Sequence, residues 1–349
     1  MNYNNINEQN TTMQKYNDII YDIATQVENE TGLPIQVESK RVEYDGILSL
    51  ANVTFIIIVQ TNIRESSLGL LVSRIIDTKS KSQKPIIVFS NYISNTTIDE
   101  LIKHGVNFVD IAGNAYIKHK EIFIFIKGQK KFKIEKTNQT RIFQEAGIKL
   151  IFNFLHKPEC IEYTYRELSK LVDISLGSVS NAMNELETYN YILKSETKRV
   201  LKNKKDLFNR WIIAYNEVLK PRLFKKKMRF VNAESYKNWQ SITFKSDEGT
   251  ILWGGEPAAS LLTNYLKPEI FTIYTDVNWQ KLVKFLGAIP DANGDIEIYQ
   301  SFWKLNEYNR NLPIVPSILV YSDLLSSGID RNIETAKIVY NDLLKTIVE

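Results

Sequence analysis

Between Thr164 and Leu186 the chain has room for only one arrangement of local structure, two short helices meeting at a tight turn, and this limits everything built around it. Thr164 followed three residues later by Glu167 has the reciprocal form in which each side chain satisfies an orphan backbone donor, so a helix is predicted to start there. Leu168, Leu171 and Val172 give that helix one apolar face, which stops at Asp173-Ile174-Ser175. Ser175 can cap a second helix, in which Val179, Ala182, Met183 and Leu186 line one side. Ser178, Ser180, Asn181 and Asn184 point elsewhere. Small hydroxyls and amides on an outward face suit a helix that enters the DNA major groove, because they reach base edges without desolvating bulky apolar groups. Ile192–Lys194 and Arg199–Leu201, turning through Glu196-Thr197-Lys198, read as a hairpin wing, and Arg141–His156 supplies a preceding helix with Ile142, Ala146, Ile148, Leu150, Ile151, Phe154 and Leu155. The alternative is an ordinary pair of packed amphipathic helices.

Charge favours the DNA reading. From Lys194 to Arg229 there are thirteen Lys and Arg against three Asp and Glu, a balance of +10, whereas the whole chain carries +4. This stretch reads as a basic tail, with Ser175, Ser178, Ser180, Asn181 and Asn184 as candidate base readers and Lys194, Lys198, Arg199, Lys202, Lys204 and Lys205 as candidate phosphate contacts. The predicted partner is double-stranded DNA. Palindromic operators make a homodimer the natural guess.

At 349 residues, 44% hydrophobic and 24% charged, the chain has an ordinary soluble composition and length for two or three domains. A single cysteine, Cys160, excludes an internal disulfide, and three separated histidines make a Cys/His zinc site improbable. No cofactor and no metal are expected. The polar start MNYNNINEQNTT lacks the layout of a signal peptide, and no apolar run is long enough to span a bilayer, so a cytoplasmic protein without membrane contact is expected. No internal repeat stands out.

The expected fold class is α/β multidomain (α+β). Residues 1–136 alternate helix and strand, namely a helix at 13–30, strands at 35–42, 46–50 and 53–60, a helix at 65–80, a strand at 85–89, a helix at 96–104 and strands at 106–111, 115–118 and 122–126. Residues 137–229 hold the winged unit with its basic tail, and residues 230–349, with ten basic against fifteen acidic side chains, reverse the charge and make a separate C-terminal α/β domain.

The order of helix, three strands, helix and strand in the first part resembles the restriction-endonuclease-like fold. Active members carry an Asp on the second strand and Glu-x-Lys on the third, two carboxylates for Mg²⁺ and a lysine for the attacking water. Asp45 stands where the first carboxylate belongs, but the third strand ends Ile58-Val59-Gln60 with neither Glu nor Lys; Glu38 and Glu43 are nearby acids. The expectation is a nuclease scaffold without catalysis, its basic edge at Lys118, Lys120, Lys127, Lys130, Lys131 and Lys133 being available to phosphates, and with Asp45 as the essential residue in the alternative of a metal-dependent nuclease.

In the third part, WGGEPAASLLTNYLKPEIFTIYT from Trp253 and VYSDLLSSGIDRNIETAKIVYNDLL from Val320 resemble the C-terminal region of the AbiEi-type antitoxins of type IV toxin-antitoxin systems, over about the last 120 residues. The resemblance implies a non-enzymatic transcriptional regulator and autoregulating repressor that opposes a nucleotidyltransferase-like toxin encoded nearby, without a stable complex. The Gly254-Gly255 pair also resembles the start of a nucleotidyltransferase core, in which Asp276 would supply one carboxylate of the Asp-x-Asp pair and Asn278 replaces the second. A nucleotidyltransferase-like modifying enzyme using Gly254, Gly255 and Asp276 therefore remains as a further alternative, beside the reading of Gly-Gly as a tight turn.

Overall fold

The computed structural model describes residues 19–28, 35–39, 44–129, 141–195, 198–242, 249–303 and 312–349. The chain divides into two compact units, Met1–Thr137 and Asn138–Glu349.

In the first unit, helix α1 (residues 19–28) precedes an antiparallel meander of β1 (Ile35–Ser39), β2 (Gly46–Leu50) and β3 (Val53–Val59). After the short β4 (Asn62–Ile63), α2 (Glu65–Lys81) crosses to β5 (Ile86–Ser90), which lies parallel to β3. The short β6 (Tyr92–Ile93) and α3 (Asn95–Lys103) then lead to β7 (Asn107–Asp110), parallel to β5, and an antiparallel pair, β8 (Ala115–His119) and β9 (Ile122–Ile126), completes the sheet. The strand order is β1-β2-β3-β5-β7-β8-β9.

Ile19, Ile20 and Ile23 of α1 bury one face with Leu48, Leu50, Phe55, Ile57, Val59, Ile87 and Phe89. The intervening Ile56, Ile58, Ile86 and Val88 are buried as well, as a sheet covered on both faces by helices requires. One regularity escaped the sequence reading. Strand, two-residue strand and helix occur twice in succession, and the short strands β4 and β6 pair in parallel. At the end of β7, Asp110 is fully buried and accepts from the amides of Ile93 and Asn114 and from Asn114 Nδ2, and burial raises its carboxyl above the usual carboxylate value.

The second unit begins with a 3₁₀ turn at Arg141–Phe143, then α4 (Glu145–His156), a 3₁₀ segment at Pro158–Glu162, α5 (Tyr165–Val172) and α6 (Leu176–Thr188). The helix expected from Arg141 thus starts at Glu145. Gly147 explains the break, because a Cβ there would lie 2.2 Å from the Ile142 carbonyl oxygen, so the 3₁₀ turn folds directly onto the helix. The hairpin of β10 (Ile192–Lys194) and β11 (Arg199–Leu201) follows in the register Ile192↔Leu201, Leu193↔Val200, Lys194↔Arg199.

What the sequence presented as a basic tail is ordered structure. Helix α7 (Lys204–Ala214) passes through a π turn at Tyr215–Leu219 into α8 (Lys220–Leu223), burying Leu207, Phe208, Trp211, Ile212, Tyr215 and Leu219. The run Lys225-Lys226-Lys227 lies on β12 (Phe224–Phe230). The excess of positive charge had concealed both the helical spacing of these apolar residues and the alternation that buries Met228 and Phe230. After α9 (Ala233–Lys237) come β13 (Ile251–Trp253), α10 (Gly255–Thr263), β14 (Phe271–Thr275), α11 (Trp279–Leu286), β15 (Ala288–Pro290) and β16 (Ile296–Gln300). The chain closes with α12 (Ser317–Ser326), α13 (Asp330–Val339) and, beyond a π turn at Tyr340–Leu344, α14 (Lys345–Val348). Five strands form one sheet in the order β13-β14-β16-β12-β15, so β12 is an interior strand of it. Among the described residues no helix is long and apolar enough to cross a membrane.

Candidate nucleic-acid interface

The turn between α5 and α6 is built as its residues demand. Thr164 Oγ1 accepts from the Glu167 amide while Glu167 Oε2 accepts from the Thr164 amide, which draws the Glu167 carboxyl below its usual value. Asp173 ends α5 in the left-handed conformation at φ 56°, and Ser175 Oγ accepts from the Ser178 amide to start α6. Val179, Ala182, Met183 and Leu186 are buried. The 3₁₀ turn before α4 is fastened to α6 as well, since the Ile142 amide donates to Glu185 Oε2 at 3.0 Å.

The opposite side of α6 faces outward. Ser175, Leu176, Gly177, Asn181, Asn184 and Thr188 are exposed, and Ser178 and Ser180 are half-buried. Gly177, Asn181, Asn184 and Thr188 follow one another at spacings of four, three and four residues and make a single stripe. Of the candidate readers, Asn181 and Asn184 are the best placed. Ser175 and Ser178 share a side-chain hydrogen bond of 2.9 Å and serve the cap. Sequence reasoning passed over Leu176, Gly177 and Thr188, although helical spacing from Asn181 and Asn184 was enough to include Gly177 and Thr188.

In the hairpin, the Lys198 amide donates to Ser195 Oγ, and the Ser195 amide donates to the Lys198 carbonyl, which closes the tip. Of the expected Glu196-Thr197-Lys198 turn, residues 196–197 lie outside the described residues. Lys194, Lys198 and Lys202 are exposed and Lys204 half-buried, and no described acid pairs with any of the four. The two remaining cations of the expected set are engaged elsewhere. Arg199 donates from one guanidinium nitrogen to the carbonyls of Ile161 at 3.0 Å and Tyr163 at 3.2 Å and lies 5.4 Å from the Tyr165 ring centre, so it fastens the hairpin to the start of α5. Lys205 pairs with Glu349 at 3.2 Å. Tyr191, just before β10, donates to Asp206 and accepts from Arg210 at 2.7 Å, and burial pushes its hydroxyl well above the ordinary tyrosine value.

The strong positive balance of Lys194–Arg229 has a second explanation in these contacts. Besides Lys205, Lys220 pairs with Asp323, Arg222 with Glu145, Lys227 with Glu297 and Arg229 with Asp291. Most of these acids belong to the acidic last third of the chain. The two opposite charge excesses therefore meet in one folded unit, and among the described residues Lys194, Lys198 and Lys202 at the hairpin and Lys225 on β12 are exposed cations of this stretch with no described acid partner.

Gly254 and Gly255 stand between β13 and α10 as expected, but the space their missing side chains leave is filled. A Cβ on Gly254 would lie 2.6 Å from the Tyr274 ring and 3.1 Å from Asp323 Oδ2; on Gly255, at φ +45°, it would lie 2.7 Å from Thr272 Oγ1. The Gly255 amide donates to Asp323 Oδ2 at 3.2 Å, so the chain's own carboxylate sits at the helix N-terminus where a phosphate would bind. Asp276 Oδ1 accepts from the Thr250 amide at 2.6 Å and closes the approach to β13. The glycines serve close packing around Asp323. Glu256 in the next position is also buried and accepts from the Glu269 and Ile270 amides, Arg331 and Asn332, joining α10 to α13.

Asp45 in the first unit is held in a similar way, for its Oδ2 accepts from the Val59 amide at 2.7 Å and pairs with Arg74 at 2.9 Å. An arginine and a backbone amide thus share the Oδ2 oxygen of this carboxylate. Glu38 is exposed on β1, and Glu43 lies outside the described residues, as do Lys130, Lys131 and Lys133. Among the described residues no cluster of three or more His, Cys, Asp or Glu side chains is arranged to hold a metal.

Residues 199–345 match a family described as transcriptional regulator, AbiEi antitoxin, type IV TA system. Over these residues the chain is similar to the AbiEi-type antitoxins. The match begins at β11, earlier than the resemblance in sequence suggested, and it takes in α7, α8 and β12. That extent agrees with the packing of those elements into the five-stranded sheet. The AbiEi family is regulatory rather than catalytic, and a type IV antitoxin implies a toxin partner. No curated protein and no solved structure matches the chain.

Proposed function

We propose that the protein is a DNA-binding transcriptional regulator, the autoregulating antitoxin of a type IV toxin-antitoxin operon. In this reading residues 137–229 contain a winged helix-turn-helix, with α6 entering the major groove and the β10–β11 hairpin as the wing. The observation that carries it is the exposed stripe of Gly177, Asn181, Asn184 and Thr188 on a helix capped and buried on its other side, beside a hairpin whose exposed Lys194, Lys198 and Lys202 pair with no acid among the described residues. Amides at such positions make bidentate contacts to adenine, and the lysines neutralise phosphates without reading sequence.

The first unit is read as a restriction-endonuclease-like scaffold that no longer cuts. The α1, β1-β2-β3 meander, α2 and parallel β5 support the scaffold, and Arg74 on Asp45 favours the loss of metal chemistry. The toxin opposed by the AbiEi-type region is expected to be nucleotidyltransferase-like and encoded nearby, and the protein is expected to act in the cytoplasm.

Fluorescence anisotropy on the upstream duplex and on a scrambled duplex, across a salt series with Mg²⁺ present, tests the proposal. Binding to the upstream duplex tighter by about 10³-fold, without nicking, is the expected result. Equal and salt-labile binding to both would reduce the winged unit to a general DNA grip, and nicking would return the weight to Asp45.

A further inference from the structure

Among the described residues strand β9 is an edge of the seven-stranded sheet, and its own sequence carries none of the usual protections of an edge. Its sequence, Ile122-Phe123-Ile124-Phe125-Ile126, has no proline, glycine or charge, and its pairing with β8 runs without a bulge from Ala115↔Ile126 to His119↔Ile122. The isoleucines turn toward the α1 core. Phe123 and Phe125 stand on the other face, 66% and 49% exposed, each edge-on to the Tyr116 ring at 6.3 and 6.1 Å.

The order of side chains on that exposed face is what identifies a partner. Glu121, Phe123, Phe125 and Lys127 succeed one another at every second position, and all are exposed. Laid antiparallel against a second copy about a twofold axis at Ile124, this stripe is its own complement. Phe123 then faces the partner's Phe125, and Glu121 faces the partner's Lys127, each contact occurring twice. The central Ile-Phe-Ile-Phe-Ile reads the same in both directions, so the register that matches the charges also matches isoleucine with isoleucine.

We propose that β9 is a dimerisation strand, joining two copies of the chain edge to edge into one continuous sheet with Ile124 on the twofold axis. Isologous pairing uses both exposed edges at once and stops at two chains. Lys127 already contacts Asp99 on α3 at 2.5 Å, which holds its ammonium near the outer face where the partner's Glu121 would meet it. This inference is independent of DNA binding, and it specifies which surface makes the homodimer.

Sedimentation velocity of the full chain at micromolar concentration, with a reversed-charge pair of variants, tests it. Wild type is expected to sediment as two 40.4 kDa chains. Glu121→Lys alone places lysine opposite lysine twice, and Lys127→Glu alone places glutamate opposite glutamate twice; each is expected to weaken the dimer by about tenfold or more. Mixing the two variants creates a heterodimer in which every pair is again opposite in charge, so the dimer should return in the mixture. A wild-type monomer, or a dimer indifferent to both substitutions and to mixing, overturns the proposal. Loss of the dimer without recovery on mixing, while circular dichroism shows both variants folded, would equally refute the register. Glu121 is at an exposed turn position, so its replacement leaves the core intact.

Discussion

Lys220 Nζ lies 2.8 Å from Asp323 Oδ1, with both side chains largely withdrawn from water, and this pair joins the helix that leaves the hairpin to helix α12. Tyr274 donates to the same carboxylate and shares a 2.7 Å hydrogen bond with Tyr215, and burial raises both phenols well above their ordinary values. The π turn at Tyr215–Leu219 makes this possible, since the extra residue per turn brings Tyr215, Asn216 and Leu219 together on the buried side. Asp323→Ala strands a buried lysine and removes the acceptor of Tyr274 and of the Gly255 amide. A loss of about 3–5 kcal/mol in urea unfolding is expected. A loss below about 1 kcal/mol would mean the site hydrates readily and the pair is dispensable.

The wing has a structural arginine and contact lysines, and the two kinds should separate in experiment. Arg199→Ala removes the bonds to Ile161 and Tyr163, so amide exchange across 192–194 and 199–201 should accelerate. Lys202→Ala should leave that exchange unchanged and lower the salt slope of DNA binding by about 0.9. Identical behaviour of the two variants in both measurements would contradict this division.

For Asn181 the expected loss is in discrimination. Asn181→Ala should weaken binding to the upstream duplex by about 1–3 kcal/mol while leaving scrambled DNA nearly unaffected. Equal losses on both duplexes would remove it from base readout.

Asp45 should prove structural. Asp45→Ala takes away the partner of Arg74 and the acceptor of the Val59 amide, so a stability loss of about 1–3 kcal/mol is expected, with no Mg²⁺-dependent cleavage by either protein. Cleavage by wild type that disappears in Asp45→Ala would restore the nuclease reading.

Cys160 gives the second unit a definite response to alkali. Burial raises its thiol from the ordinary 9.0 to about 12. A folded pKa above the unfolded one means that this contribution is complete below pH 9 and declines as pH rises from 9 toward 12, by about 1.4 kcal/mol per unit. Alkylation of the native protein at pH 8 should accordingly be slow and limited by unfolding, and Cys160→Ala should flatten the alkaline loss of stability. Rapid alkylation of the folded chain would show that the thiol is accessible.

Local order along the chain determined a good deal. Thr164 with Glu167 and Ser175 before its apolar stripe set the limits of α5 and α6, because capping and helical periodicity depend only on near neighbours. Alternation likewise revealed the meander of the first unit and the β10–β11 hairpin. What tertiary structure alone decided was the use made of charged and flexible residues. Arg199 and Lys205 look like Lys198 and Lys202 in sequence, and only the carbonyls of Ile161 and Tyr163 and the carboxylate of Glu349 distinguish them. Gly254 and Gly255 look like a phosphate turn until Tyr274 and Asp323 are found in the space beside them. Asp45 looks like a metal ligand until Arg74 is found upon it. Backbone preferences are set within a few residues, whereas the partner of a charge is chosen by the fold from anywhere in the chain.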